Sequence, residues 1–307
     1  MNLPALRLSP YLLLVSTMLF WSGNFVLGRA VRALMPPIAL SFWRWAVALL
    51  LLLPLAWPRL RMHRALLKRH WQSLTLLSIL GVVNFNTFVY TGLQSTTAIN
   101  AVMMISATPV IIIALSFLLL RQTVTRWQIL GIAVSLLGVL VIVTRGEPRL
   151  LLEQPLNKGD LWVLAAVLSW ALYSVCLHWR PAGLDPLSFL ATAVGMGVIL
   201  LLPLYGWSSA QGAAFQPSAV TLGSIAYVAL FPSVLAYIFW NRAVAELGAN
   251  RAGQFMHLMP AFGAIESMLF LGERLYAFHG IGIGLIALGI YLATAFRTHT
   301  AASGDQS

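Results

Sequence analysis

Arg44 lies about six residues inside the apolar run 38–57. Near the centre of a membrane helix an arginine costs about 2.5–3.5 kcal/mol on insertion scales, so it must find a partner or snorkel outward. It can guide a substrate carboxylate, or it can be a structural arginine reaching for the interface. A second polar group, Gln254, His257 and Glu266, falls in the run 252–272. His257 and Glu266 can both change charge as a site alternates between water and protein, so each is a candidate proton site. They stand about half a turn apart on an ideal helix, with Pro260 between them to supply a kink. His257 is assigned to substrate contact, and Glu266 and Arg44 to coupling or carboxylate contact.

Aromatic and amide side chains repeat at helical spacing. Thr17, Trp21, Asn24 and Gly28 share one helix face, Asn86, Thr87, Tyr90 and Thr91 another, and Ser233, Tyr237 and Trp240 a third. An offset of 149 residues carries Trp21 onto Trp170 and Asn24 onto Tyr173. These stripes suit a ligand with an apolar ring and a few polar handles. The expected substrate contacts are Trp21, Asn24, Asn86, Tyr90, Met103, Trp170, Tyr173, Tyr237, Trp240 and His257, with Met103 and Met104 giving adaptable apolar surface. Trp43, Trp45, Trp57, Trp71, Trp127 and Trp207 read instead as interfacial belts. Pro109 and Pro260 are the expected hinges.

Enzyme chemistry has no comparable constellation. There is no Walker lysine, no zinc spacing and no plausible Ser/His/Asp group, so no catalytic residue, metal or cofactor is expected. Gly280, Gly282 and Gly284 lie inside an apolar run without a preceding strand, which predicts close helix packing rather than a nucleotide loop. The single cysteine, Cys176, excludes an intramolecular disulfide and reads as a buried thiol.

The elements that must position these residues follow from composition. Hydrophobic residues make up 60% of the 307 and charged residues 9%, too few charges to cover a water-facing surface. The class is an all-α integral membrane protein. Ten runs are long enough to span a bilayer: 11–28, 38–57, 72–91, 98–120, 127–144, 159–178, 186–206, 218–240, 252–272 and 277–296. Arg7 precedes the first, which is read as retained rather than as a cleaved signal. The net charge of +11 belongs to the connections between runs, which points to lipid headgroups and not to nucleic acid. Twelve Lys and Arg fall on the side of the termini and six opposite, so both termini are expected in the cytoplasm.

The chain also repeats itself. Pro109, Gln122, Gly131 and Gly138 return as Pro260, Glu273, Gly282 and Gly289 at an offset of 151, while Asn100 returns as Asn250 and Tyr90 as Trp240 at 150. Two halves, 1–150 and 151–307, each hold five runs. Five is odd, so the second half enters from the opposite side: an inverted repeat, with a substrate site expected between the halves.

Trp21-Ser22-Gly23-Asn24-Phe25-Val26, Pro36-Pro37 with Arg44, Thr97-Ala98-Ile99-Asn100-Ala101 leading to Pro109, and the paired glycines together resemble the EamA-type branch of the drug/metabolite transporter superfamily. The resemblance covers nearly the whole chain. It implies ten helices in two inverted halves, a bacterial inner-membrane location, and a central cavity lined by helices 1, 3, 4, 6, 8 and 9. Many members carry Glu where this chain has Gln122, while Glu273 keeps it in the second half. The expected function is a secondary transporter exporting small amphipathic metabolites, aromatic and other neutral amino acids first. It would act as a monomer or weak homo-oligomer in the lipid bilayer. The alternatives are export of cationic drug-like or nucleoside-like compounds, for which only Glu266 offers a carboxylate, or a membrane-embedded enzyme or scaffold.

Overall fold

Local chemistry sets where the helices begin. Pro10 and Pro37 open α1 (Pro10–Ala30) and α2 (Pro37–Met62), where proline's missing N–H has no partner to lose. The computed structural model describes residues 9–121, 125–147, 149, 157–213, 215–247 and 255–295. A short α3 (Arg64–Arg69) leads to α4 (Trp71–Ser78), which runs through a π-helical turn at Ile79–Asn84 into α5 (Phe85–Gly92). Thr97 caps α6 (Ala98–Ile105) by accepting the Asn100 N–H. The next helix, α7 (Thr108–Leu120), carries Pro109 in its first turn and leaves at 41° to α6. Thr125 and Gln128 cap α8 (Arg126–Val143) reciprocally.

The second half repeats these devices. α9 (Lys158–Cys176) starts from an Asn157 cap, and α10 (Pro186–Ala210) from Asp185 followed by Pro186. α11 (Ala219–Ala229) passes through a second π turn, Leu230–Leu235, into α12 (Ala236–Leu247). A 3-10 turn at Phe255–His257 precedes α13 (Leu258–Leu271), and α14 (Ala277–Ala295) closes the described chain. The two π turns are offset by 151 residues, the offset of the sequence repeat.

Seven helical segments among the described residues are long and apolar enough to cross a membrane, or eight with the bent pair α6–α7 taken as one. The ninth and tenth expected spans appear as shorter apolar helices, Leu258–Leu271 and Ala277–Leu292. α13, with 14 residues, rises only about 21 Å. Large apolar side chains such as Leu50, Leu55, Ile199, Leu202, Leu269 and Phe270 face outward, as lipid contact requires.

Each first-half helix of the core packs against second-half helices. α1 lies on α12 and α13, α2 on α10, and α9 on α5, α6 and α7. α8 and α14 run antiparallel: Gly138 meets Gly282, and Gly131 meets Gly289. Gly282 thus packs closely as the spacing predicts, whereas Gly280 and Gly284 face open space. Trp57, Trp71 and Trp207 are exposed, but Trp45 is 1% exposed and belongs to the core, not to a belt. It lies on the stripe Ser41, Trp45, Ala48, Leu52 and Ala56, which α2 turns inward.

Asp185 ties the start of α10 to the C-terminal end of α2. Its carboxylate accepts the Leu187 and Ser188 N–H groups at 3.1 Å each, with Arg59 at 3.6 Å and His63 at 3.5 Å. Burial works against its charge, but the Ser188 and Leu187 bonds and Arg59 outweigh it and hold the carboxyl below the usual carboxylate range. Asp185→Ala is expected to cost about 1 kcal/mol, the usual worth of such a cap. Because the folded carboxyl is the stronger acid, that stability is present above roughly pH 4 and disappears as pH falls through the folded value. Thermal unfolding of wild type and variant in detergent should therefore converge as the pH is lowered from 7 toward 3.

Candidate substrate-binding site

Proline chemistry builds the first wall. Pro232 has no N–H, so an α-helix there would leave the Val228 carbonyl without its donor. The chain forms a π turn instead, and the Ser233 hydroxyl donates to Val228 O at 2.7 Å. The same hydroxyl oxygen accepts from Arg44 Nε at 2.6 Å. Two helix irregularities also find donors on the opposite half. Trp21 Nε1–H donates to Pro232 O at 3.2 Å, and Ser169 Oγ–H donates to Leu80 O, in the other π turn, at 2.9 Å. π turns are frequent at functional sites because they free backbone groups and re-aim side chains.

Arg44 is the centre of the polar site. It does not snorkel; it is 4% exposed and points into the bundle. Its Nη1 donates to Asn24 Oδ1 at 2.7 Å, to Asn86 Oδ1 at 2.7 Å and to the Tyr90 hydroxyl at 2.8 Å. Tyr90 in turn donates to Asn24 Oδ1 at 2.6 Å. Two hydrogens on Nη1 thus serve three oxygens, all of them neutral. Nη2 makes no hydrogen bond to a described residue, and Arg44 has no carboxylate within ion-pair distance among the described residues. A buried guanidinium with amide, hydroxyl and phenol partners, its carbon 4.8 Å from the Trp45 ring centre, has no anionic counter-ion among the described residues, which favours an anionic visitor.

Two aromatic groups stand in the same bundle. Trp21 stands 5.5 Å from Trp240 and 6.0 Å, edge-on, from Tyr237. Trp170 lies 4.8 Å from Phe85 and 5.1 Å from Tyr173, whose ring covers Gly81 in the first π turn. Met103 is 5% exposed, in the core against which Trp21 and Trp240 pack.

The second polar group is not part of this arrangement. Glu266 approaches Gly23 beside the Tyr227 hydroxyl, and its Oε2 is buried without a hydrogen-bond partner among the described residues. It forms no ion pair with Arg44. His257 ends the 3-10 turn before α13; its side chain, like the whole of Gln254, Asn250 and Gln122, lies outside the described residues. Pro109 is in the first turn of α7, just after the 41° bend, and Pro260 is in the first turn of α13, just after the 3-10 turn at Phe255–His257. Ser233 lies on the expected third stripe, but its bond to Arg44 and the π turn that Pro232 imposes beside it were not foreseen. A proline within an apolar run, followed by a hydroxyl, is the sequence signal for them.

A helical membrane bundle enclosing a charged, aromatic-lined polar centre is the construction of a carrier for small molecules. The comparisons narrow the class: the chain belongs to the EamA-like transporter family, whose model matches twice, over residues 8–144 and 157–295. It is 26% identical to the uncharacterized transporter YyaM of Bacillus subtilis over 94% of both chains. It is 30% identical to an uncharacterized transporter of Archaeoglobus fulgidus over 93% of this chain and 97% of that one. A solved crystal structure shares the fold, with a TM-score of 0.60 at 17% identity, over 94% of this chain and 96% of that one.

Proposed function

We propose that this transporter exports small amphipathic metabolites, aromatic and other neutral amino acids first, by alternating access between two inverted five-helix halves. The carrying observation is Arg44: a buried guanidinium without a carboxylate among the described residues, bordered by Trp21, Trp240, Tyr237 and Tyr90. The α-carboxylate would take the open Nη2 side of Arg44, and the side chain would lie among the rings. Asn24, Asn86 and Ser233 keep the guanidinium oriented while the site is empty of anion.

The inverted arrangement draws support from the antiparallel α8–α14 pair. Gly131 and Gly138 correspond to Gly282 and Gly289 by the repeat, and the contacts are exchanged, Gly131 with Gly289 and Gly138 with Gly282. That exchange is the signature of a two-fold relation. Ten spans, with the bend at Pro109 as a hinge and both termini in the cytoplasm of a bacterial cell, complete the reading. Arg44 weighs against the cationic-drug alternative, because a cation would meet a buried guanidinium while Glu266 stands elsewhere.

Counterflow of labelled phenylalanine and threonine into proteoliposomes tests the proposal. Saturable uptake of both is expected, with phenylalanine the tighter because its ring meets the aromatic walls. Uptake of neither, in protein that stays folded, would discard the amino-acid assignment.

A further inference from the structure

The substrate site leaves unused a buried carboxylate at one end of the bundle. Asp160, in the first turn of α9, is 1% exposed. The Thr96 hydroxyl donates to its Oδ1, Asn100 faces the same carboxyl, and Oδ2 is buried without a hydrogen-bond partner among the described residues. Arg145 acts on it electrostatically but forms no ion pair with it among the described residues. The other charged groups nearby have their own work. Glu273 accepts the Ala98 and Ile99 N–H groups at 3.0 Å each, Arg29 donates to the Leu93 and Gln94 carbonyls, and Lys158 lies on the same helix turn.

The direction of the hydrogen bonds decides what Asp160 can hold. A backbone N–H can only donate, so Tyr276 N–H fixes His279 Nδ1 as an acceptor at 3.0 Å. The neutral ring then carries its proton on Nε2 and donates to Asn100 Oδ1 at 2.9 Å. Asn100 therefore turns its NH2 toward Asp160. The carboxyl faces the Thr96 hydroxyl and the Asn100 NH2, both donors, and the amide oxygen that would help coordinate a cation is taken. Such a site suits a carboxylate that gains and loses a proton, not one that binds sodium.

Closure of this end isolates the site. Gly159 and Gly92 pack backbone to backbone: a Cβ on Gly159 would stand 2.5 Å from Gly92 O and 2.6 Å from Thr96 N. An ionised carboxylate sealed there loses water without gaining a counter-ion, whereas the helix N-terminus and an aqueous opening would stabilise its charge. The repeat adds an asymmetry. His279 corresponds to Gln128, which makes the same capping bond from its own helix, to Thr125 N–H at 2.8 Å, and Glu273 corresponds to Gln122. In sequence, the first half thus has neutral amides at the positions where the second half has groups that titrate.

We propose that Asp160, held by Thr96 and faced by Asn100, which His279 orients, is a proton-binding site that couples closure of this end of the transporter to proton uptake. A proton from the adjacent water adds to Oδ2 as the end closes and returns to water as it opens. The transport consequence rests on the alternating-access reading above; the protonation itself does not. Closure binds one more proton than opening, so opening rises with pH, by at most tenfold per pH unit for one proton.

Two measurements on the full-length protein in lipid test it. Infrared difference spectra between acid and alkaline pH should show a protonated-carboxyl band that Asp160→Asn removes and that Asp160→Glu restores. Glu266→Gln should leave that band in place. His279→Gln, which copies the cap of the first half, should keep the protein folded and retain the band. Phenylalanine counterflow should rise with pH in the wild type and become flat in Asp160→Asn. A band that survives Asp160→Asn, or one lost only in Glu266→Gln, overturns the site. So does counterflow of unchanged pH dependence in Asp160→Asn, or a requirement for sodium that Asp160→Asn abolishes. Absence of counterflow in the wild type would strike the substrate reading, and the infrared result would still decide this one.

Discussion

Arg44→Gln is expected to lower kcat/KM for phenylalanine by roughly ten- to a hundredfold, the worth of one charge-assisted hydrogen bond at about 1.5–3 kcal/mol. The loss should concentrate on the carboxylate. Phenylalaninol keeps the ring and the amine but replaces the carboxylate with a hydroxymethyl group, so it gains nothing from a guanidinium. Competition by the two compounds against labelled phenylalanine separates binding from damage. In the wild type the acid should win clearly; in Arg44→Gln the two should approach parity. Arg44→Lys keeps a charge but cannot hold Ser233 through Nε while spanning Asn24, Asn86 and Tyr90 through Nη1. It should recover only part of the preference. Equal losses for both compounds in Arg44→Gln would make Arg44 a scaffold for the amides and leave the carboxylate contact unsupported.

The stripes of the candidate site were legible because helical periodicity alone puts Trp21 with Asn24, Asn86 with Tyr90, and Ser233 with Tyr237 on common faces. The direction of Arg44 was less so. An arginine seven residues from a helix start can reach either water or the core, and α2's rotation decides which. That rotation was itself written in the spacing of Ser41, Arg44, Trp45, Ala48 and Leu52, where small and polar residues recur at three- and four-residue steps. Treating every tryptophan near a helix end as a belt residue hid this stripe. Asp160 was hidden differently. Its surroundings come from Thr96 and from Asn100, which His279 orients in turn, and no periodicity within one helix encodes such contacts. The span count differs at the fourth, ninth and tenth runs, and at the first two of these hydropathy does not register the bend at Pro109 or the 3-10 turn at Phe255–His257.

The α8–α14 pair should be the most brittle contact in the fold. Without a hydrophobic drive between helices in lipid, close backbone approach supplies the attraction, and only glycine permits it. A Cβ on Gly138 would stand 2.6 Å from Gly282 O and 2.9 Å from Ile286 N, and one on Gly289 would stand 2.5 Å from Gly131 O. These obstacles are backbone atoms, which cannot rotate aside. Gly138→Ala or Gly289→Ala should each cost about 1–3 kcal/mol, read as a lowered unfolding temperature in detergent. The two contacts lie seven residues apart on α8, so a single variant can tilt the pair about the remaining contact. The double variant removes that relief and should lose more than the sum of the singles. Gly280→Ala and Gly284→Ala face open space on the same helix and are the controls, expected to be neutral or slightly stabilising. Arg44, Asn24, Asn86 and Tyr90 lie on α1, α2 and α5, so surviving molecules of Gly138→Ala should exchange substrate at the wild-type rate per folded protein. If Gly138→Ala matched Gly280→Ala in stability, the antiparallel pairing would be wrong, and with it the exchanged contacts that support an inverted repeat.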